Sequence, residues 1–240
     1  MGTSAANRSN SQPIWLLPLL AGLLPALATI VAHQISVNSG LIPSCNLYLD
    51  GCVSISKSAR HDLPNHIFRA LVLPAATLQG LTWILCAQWL KSLDAATGKY
   101  SFVLAWLGTL AATFLVLYGA FLGTEGETYQ WLRRYGINFY FGLTYLCMLM
   151  ASAKVFRLAR AGWLRPPMRL DRALGVLCLL IMAFGLTNLF AKSLSSDAQL
   201  VDRLENVLEW YAATAFTLFF AGLAWLWKCT RFRVRAGCQI

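Results

Sequence analysis

Six long apolar runs occupy most of this 240-residue chain and constrain its fold more than any other feature. Each run approaches the roughly 20 residues that a helix needs to cross about 30 Å of hydrocarbon. The runs lack the alternation of apolar and polar residues that marks a half-buried strand, so they are predicted to be membrane-spanning helices. The predicted spans are Ile14–Ile35, Ile67–Leu90, Phe102–Leu122, Ile137–Phe156, Ala173–Ala191 and Val207–Trp227.

The composition excludes a soluble domain, because 58% of the residues are hydrophobic and only 12% are charged. The connections are short, so we predict an all-α, six-helix polytopic bundle in one membrane domain over residues 13–228. The Ser- and Asn-rich residues 1–12 are predicted to be a disordered cytoplasmic tail, and residues 229–240 a basic cytoplasmic tail. Ala26-Leu27-Ala28 resembles a signal cleavage site, but the apolar run continues to Ile35, which favours a span.

The distribution of charge predicts the orientation of the bundle. With both termini inside, the inner segments hold 13 basic and two acidic residues, whereas the outer segments hold seven basic and eight acidic ones. Lys and Arg are enriched in cytoplasmic loops, so the N-in, C-in topology is predicted. The net charge of +10 then reflects this bias and contact with anionic lipid, and not nucleic-acid binding.

The cysteines divide by predicted location. Cys45 and Cys52 share the first outer loop, where an oxidising compartment would permit a disulfide; a bridge and two free thiols both stay open. No cofactor or metal site is predicted, because the three histidines form no HExxH motif, and no phosphate-cradling glycine loop is present.

Polar or ionisable side chains collect at the outer ends of the predicted helices. Such groups face inward or pair with one another, because leaving them in lipid is costly. They predict a lipid-binding cavity at the outer leaflet, with membrane lipid as the partner and any protein partner unknown. Its predicted residues are Arg69, Glu209, Glu125, His33, Asn138 and Asn188.

Arg69 and Glu209 each lie about one turn inside an apolar run, at equal predicted depth. Two interpretations stay open: an ion pair that ties two helices together, or a headgroup site in which Arg69 binds a phosphate and Glu209 orients a hydroxyl. An enzyme is a further alternative. Ser54 or Ser56 of the first loop would then be the nucleophile, and His61, His66 and Glu209 would share acid–base work.

Short motifs along the whole chain resemble one family of six-span membrane proteins. The matching elements, in chain order, are Cys45-Asn46, Ser54-Ile55-Ser56, Pro64, Ile67-Phe68-Arg69, Gly123-Thr124-Glu125-Gly126 and Glu209-Trp210. In this order they are similar to the DRAM / post-GPI-attachment factor two / CWH-type N-terminal domain family. The resemblance implies a six-helix fold and a role in lipid handling, with Ser54, Ser56, Arg69, Glu125 and Glu209 at motif positions.

The chain departs from the anchor-remodelling branch of that family at two places. Val53 stands where a proline is expected before the Ser-Ile-Ser element, and Arg133-Arg134-Tyr135 replaces an expected histidine. These departures argue against a role specific to GPI anchors. The short chain suits a bacterial relative, for which the location would be the inner (cell) membrane.

The sequence therefore predicts an integral, multi-pass membrane protein that recognises or organises lipid at the outer leaflet without catalysis. A lipid-remodelling or acyl-transfer enzyme is the first alternative. A small-solute transporter is the second, disfavoured because the spans contain no charged residue near mid-membrane, where Gln79 is the main polar group.

Overall fold

The computed structural model describes residues 11–235 and contains seven α-helices within that range. Six of them are long and apolar enough to cross a membrane, which confirms the predicted all-α architecture of six spans. The seven helices are α1 Leu16–Asn38, α2 Ile55–Ser58, α3 Asp62–Leu93, α4 Gly98–Phe121, α5 Glu127–Arg160, α6 Leu170–Leu194 and α7 Ala198–Cys229. Short 3₁₀ turns precede α4 (Ala95–Thr97) and α6 (Pro167–Arg169).

Two short strands lie at the ends of the described range. β1 (Ser11–Pro13) pairs antiparallel with β2 (Arg233–Arg235), and Gln12 is opposite Val234. The predicted tails at residues 1–12 and 229–240 stay predictions, because residues 1–10 and 236–240 lie outside the described residues.

The helices extend beyond the apolar runs that predicted them. The fourth span was predicted to begin at Ile137, but α5 begins ten residues earlier, at Glu127. The first ten residues of α5 are less hydropathic than the rest, because a helix that protrudes from a membrane needs no apolar surface. A search for apolar runs therefore misses them. The sixth span was predicted to begin at Val207, but α7 begins nine residues earlier, at Ala198.

Three prolines lie within the predicted spans, and two of them are in a helix interior. Pro25 and Pro74 lie inside α1 and α3, where each removes a backbone donor. Pro18 is instead the third residue of α1. The first turn has no intrahelical partners for its N–H groups, so proline is tolerated there.

α3 lies at the centre of the bundle and packs against α1 and α4; α4 also packs against α5, and α7 against α1. Short antiparallel connections place the Ser39–His61 loop and the α4–α5 turn at one end, here called the first-loop end. The opposite end, here called the elbow end, carries the Ala161–Pro166 connection before α6. The predicted topology makes the first-loop end the outer one.

The main hydrophobic core occupies the elbow half of the bundle. Trp83, Trp89, Phe219 and Trp227 are all fully buried there. Gly108 of α4 lets the helices approach closely, because a Cβ at this position would lie 2.2 Å from the Cβ of Trp83. Small residues at helix contacts are the usual solution in membranes, where close backbone packing replaces hydrophobic burial as the driving force.

The fifth of the six long helices, α6, packs much less closely than the rest. Only 11% of its most apolar window is buried, against 39% to 50% in the other five long helices. Its buried residues, Asp171, Leu174 and Cys178, all lie in the half near the elbow end. The other half of α6 therefore stands away from its neighbours.

Candidate functional site

The first loop is fixed to α1 and α4 by hydrogen bonds at its second half. The Ser36 hydroxyl of α1 donates to the Ser58 carbonyl at 2.6 Å, and His33 Nδ1 lies 3.3 Å from Ser58 Oγ. Asn65 of α3 uses its amide N–H groups twice, donating to the carbonyls of Ala59 at 2.9 Å and Leu122 at 3.0 Å. Because Asn65 is buried, both bonds are sheltered from water.

The first half of the loop is fixed to α7. Trp210 Nε1 donates to the Val53 carbonyl at 3.0 Å, and Asn206 Nδ2 donates to the Gly51 carbonyl at 2.8 Å. Tyr48 adds a hydroxyl contact of 2.9 Å with Thr214 Oγ1. Gly51 has φ +58°, and a Cβ there would lie 2.1 Å from the Arg203 carbonyl oxygen, so only glycine fits this approach.

Cys45 and Cys52 are joined by a disulfide that closes this segment. The bridge lies next to Val53, whose carbonyl accepts the hydrogen bond from Trp210. It therefore holds the loop in the shape that covers the start of α7.

A cavity of about 260 Å³, here called the central cavity, lies beneath the loop among α1, α3, α4, α5 and α7. Its walls are mainly apolar, with Ile55, Phe68, Val72, Leu115, Ile137, Phe141 and Phe216 among the lining residues. Ile30, Thr214 and Leu218 also line it and are exposed. The central cavity therefore reaches the protein surface between α1 and α7, at membrane depth.

A few polar groups face this apolar space. Gln79 of α3 donates from Nε2 to the Ala21 carbonyl at 3.0 Å, but its buried Oε1 has no hydrogen-bond partner among the residues that the structure describes. Tyr118, Tyr140 and Glu209 join Gln79 in the lining. A largely apolar pocket with a few polar groups is the usual form of a small-molecule site.

A second space of about 720 Å³, here called the lateral crevice, lies between α5, α6 and α7. It exists because the far half of α6 stands away from the bundle, and its exposed lining residues Met182, Gly185 and Leu186 open it to the surface. Glu209 lines both the lateral crevice and the central cavity, as do Ile137 and Phe141.

Glu209 is half-buried and interacts with the backbone N–H of Ile55, at the start of α2. Within residues 11–235, neither of the two side-chain ion pairs includes Glu209 or Arg69. Arg69 lines neither space, since the neighbouring Phe68 faces the central cavity and successive residues point about 100° apart on a helix. The Arg69–Glu209 ion pair, one of the two interpretations that the sequence left open, is therefore not formed among the described residues.

The other predicted lipid-binding residues divide into two groups. Asn138 and Asn188 line the lateral crevice with Glu209, and in the described part of the chain the buried Asn188 Oδ1 has no hydrogen-bond partner. His33 is half-buried against the edge of Trp210, with ring centroids 5.8 Å apart, and lies behind the cavity wall. Glu125 is exposed and lines neither space.

The catalytic candidates are not assembled into a nucleophile–base pair. Ser54 and Ser56 line the lateral crevice with their hydroxyls 3.4 Å apart, and Ser54 also caps α2 by accepting from the Lys57 N–H. His61 and His66 are exposed, and neither is hydrogen-bonded to these serines in the described part of the chain. No group of three potential metal ligands occurs among the described residues.

Sequence reasoning missed several residues of the site. Tyr118 and Tyr140 lie in apolar spans, where each could serve as ordinary core, and only the structure places them in the central cavity. Trp210 belonged to a family motif, but its hydrogen bond to Val53 depends on the path of the loop. Arg60 and Arg133, which lie close together at the first-loop end, are separated by 73 positions and gave no local signal.

Comparison with known protein families gives one match that covers most of the chain. The model of the Frag1/DRAM/Sfk1/Cwh43P N-terminal domain matches residues 13–227, which include all six spans. No curated protein and no solved structure matches the chain.

Proposed function

This chain belongs to the Frag1/DRAM/Sfk1/Cwh43P N-terminal domain family, and on that premise we propose that it recognises a membrane lipid at the outer leaflet without catalysis. The observation that carries the proposal is the position of Glu209, which lies where the central cavity and the lateral crevice meet. Both spaces reach the protein surface along helices that are apolar enough to contact lipid.

The size and chemistry of the two spaces suit a lipid. The lateral crevice, at about 720 Å³, falls within the range of roughly 300–1,000 Å³ that is typical of ligand pockets. Its apolar walls suit an acyl chain. Glu209, Asn138 and Asn188 supply acceptors and donors near the first-loop end, where a lipid's polar part would lie.

The outer-leaflet placement rests on the predicted N-in, C-in topology, in which the arginine-rich elbow end faces the cytoplasm. The bacterial source and the inner (cell) membrane remain predictions from the sequence. A reporter fused within the Ala161–Pro166 connection tests the topology. A reporter that is active only on the outer side of the membrane should be inactive there, because the predicted topology puts this connection on the cytoplasmic side.

Two glycines of α6 provide a matched test of lipid binding. Gly185 lines the lateral crevice, whereas Gly175 lies nearer the elbow end of the same helix, and a Cβ at either position meets no atom within 4 Å. Gly185→Phe should fill the crevice and weaken binding of a fluorescent diacyl lipid by about tenfold, a loss of about 1.4 kcal/mol. Gly175→Phe should bind within about twofold of the unaltered protein. Equal binding by the two variants would exclude the lateral crevice as the lipid site.

An acyl-transfer enzyme is a second candidate, because Ser54, Ser56 and Glu209 line the same crevice. In that case Glu209→Gln would abolish lipid turnover while binding stayed intact. Unchanged turnover in a well-expressed variant that combines Glu209→Gln with His61→Ala and His66→Ala would exclude this candidate.

A further inference from the structure

Two half-buried arginines lie close together at the first-loop end. Arg60 is in the turn between α2 and α3, and Arg133 is on the second turn of α5. Each lies within the electrostatic field of the other. Neither forms an ion pair in residues 11–235, where the side-chain ion pairs are Lys154–Asp94 and Lys192–Glu205. Two like charges held together in a partly desolvated place are costly unless an anion joins them.

The backbone fixes the first of these arginines firmly. Gly123, between α4 and α5, has φ +85°, and a Cβ there would lie 2.5 Å from the Arg60 carbonyl oxygen. The double hydrogen bond of Asn65 to the Ala59 and Leu122 carbonyls clamps the same two connections together. The backbone of Arg60 is therefore held against the α4–α5 turn, and its buried Nε has no hydrogen-bond partner within residues 11–235.

The second arginine is attached to the same turn. Arg133 Nη1 lies 3.4 Å from the Thr124 carbonyl, a long hydrogen bond that leaves most of its donors unused. Since Arg133 is one helical turn before Ile137, it lies on the face of α5 that lines both the central cavity and the lateral crevice. Arg133 is not itself a lining residue of either space, and it lies one turn beyond Ile137 toward the first-loop end.

Tyr118 connects the arginine pair to the site. Its hydroxyl lies within the electrostatic fields of Glu209, Arg60 and Arg133, and the residue itself lines the central cavity. These three charged groups therefore all lie near Tyr118, and two of them are basic. A guanidinium pair offers planar, multiple N–H donors that match the oxygens of a phosphate.

We propose that Arg60 and Arg133 together bind the phosphate of a phospholipid headgroup, whose acyl chains occupy the apolar spaces beneath. The proposal rests on the proposed lipid-recognition function and names the class of lipid recognised. Arg133 belongs to the segment that replaces a histidine expected from the family pattern. An arginine stays protonated, and can therefore bind a phosphate, at any physiological pH.

Binding assays on the full chain in nanodiscs test this proposal with two probes that have identical acyl chains. Phosphatidic acid carries the phosphate, and diacylglycerol lacks it. Arg60→Gln and Arg133→Gln should each weaken phosphatidic acid binding by about tenfold, as expected for loss of a charge-assisted hydrogen bond. Diacylglycerol binding should stay within about twofold in both variants.

Arg134→Gln is the matched control, since Arg134 is exposed, adjacent in sequence and carries the same charge. It should alter phosphatidic acid binding by less than about threefold, the effect of one screened surface charge. If Arg60→Gln does not fold, phosphatidic acid binding is measured in Arg60→Lys and in Arg133→Gln instead. Phosphatidic acid binding that is unchanged in Arg133→Gln, or equally weakened in Arg134→Gln, would overturn the arginine site.

Inorganic phosphate identifies the source of the anion. Displacement of bound phosphatidic acid by millimolar phosphate, lost in Arg133→Gln, would show that the pair prefers free phosphate and would overturn the headgroup assignment. Failure of the proposed lipid-recognition function would give a different result. Diacylglycerol would then bind equally weakly to the unaltered protein and to Gly185→Phe, and substitutions at positions 60 and 133 would not change that binding.

Discussion

The elbow half and the first-loop half of this bundle are built by different means. In the elbow half, large aromatic side chains such as Trp83 and Trp227 are fully buried, and Gly108 allows helices to touch. In the first-loop half, α6 stands away, two spaces remain between helices, and a disulfide and hydrogen bonds hold the connecting loop. A close-packed half therefore adjoins a half that retains room for a ligand.

The largest expected difference between the halves concerns their glycines. Gly108→Leu should lower the free energy of unfolding by about 3 kcal/mol or more, because its Cβ would lie 2.2 Å from that of Trp83. Gly185→Leu in α6 should change it by less than about 0.5 kcal/mol, since no atom lies within 4 Å. Thermal unfolding in detergent measures both, and equal melting temperatures would remove the distinction between a close-packed and an open half.

Loss of the Cys45–Cys52 disulfide is the next largest expected effect. The bridge closes a short loop with a sequence separation of 7, so its removal by serine substitution should cost about 2 kcal/mol. The loss should appear as loosening of the first loop from α7, measured by faster hydrogen exchange around Val53. Labelling of both cysteines with a thiol reagent before reduction would instead show that the bridge is absent.

The hydrogen bonds that hold the first loop provide an intermediate test. Asn65→Ala leaves two buried carbonyls without their donor and should cost about 2 kcal/mol. Asn206→Ala removes one bond, to the Gly51 carbonyl, in a half-buried position and should cost about 1 kcal/mol. Chemical unfolding compares the two. A larger loss for Asn206→Ala would place the main anchor of the loop on α7 and not on α3 and α4.

The smallest expected effect lies in the ion pair at the elbow end. Lys154 Nζ donates to Asp94 Oδ2 at 2.6 Å, and this hydrogen bond lowers the pKa of Asp94. The folded-state pKa is then below the unfolded value of about 3.9. The contribution of the pair to the free energy of unfolding is therefore complete above the unfolded pKa and is lost as the pH falls through the folded pKa. Asp94→Asn should therefore differ from the unaltered protein at pH 7 and converge with it in acid. Glu205→Gln, which removes the exposed Lys192–Glu205 pair, should show no measurable change at either pH.

The sequence was sufficient to predict the six spans, because a helix in lipid must be apolar over most of its length. It also selected Glu209 as a candidate site residue, because a carboxylate inside an apolar run has few tolerable positions, and the structure places Glu209 in the lining of both spaces. The start of α5 at Glu127 was missed, because helix outside a membrane leaves no mark in hydropathy.

The partners of charged residues could not be predicted from depth alone. Arg69 and Glu209 lie at similar predicted depths, yet Arg69 is rotated away from the cavity that its neighbour Phe68 lines. The proximity of Arg60 and Arg133 depends on the clamp formed by Asn65 and Gly123 between two distant connections. Such contacts are tertiary and leave no spacing pattern in the chain.

The most direct test of the proposed lipid site is photo-crosslinking with a phospholipid that carries a diazirine on its acyl chain, followed by mapping of the adducts. The account predicts adducts on Met182, Leu186 and Phe216, which line the lateral crevice, and predicts that excess unlabelled phospholipid removes them. Phe102 and Trp106, exposed on α4, report the surrounding lipid and should be labelled without such competition. Labelling of Phe102 and Trp106 with none in the crevice would contradict the account.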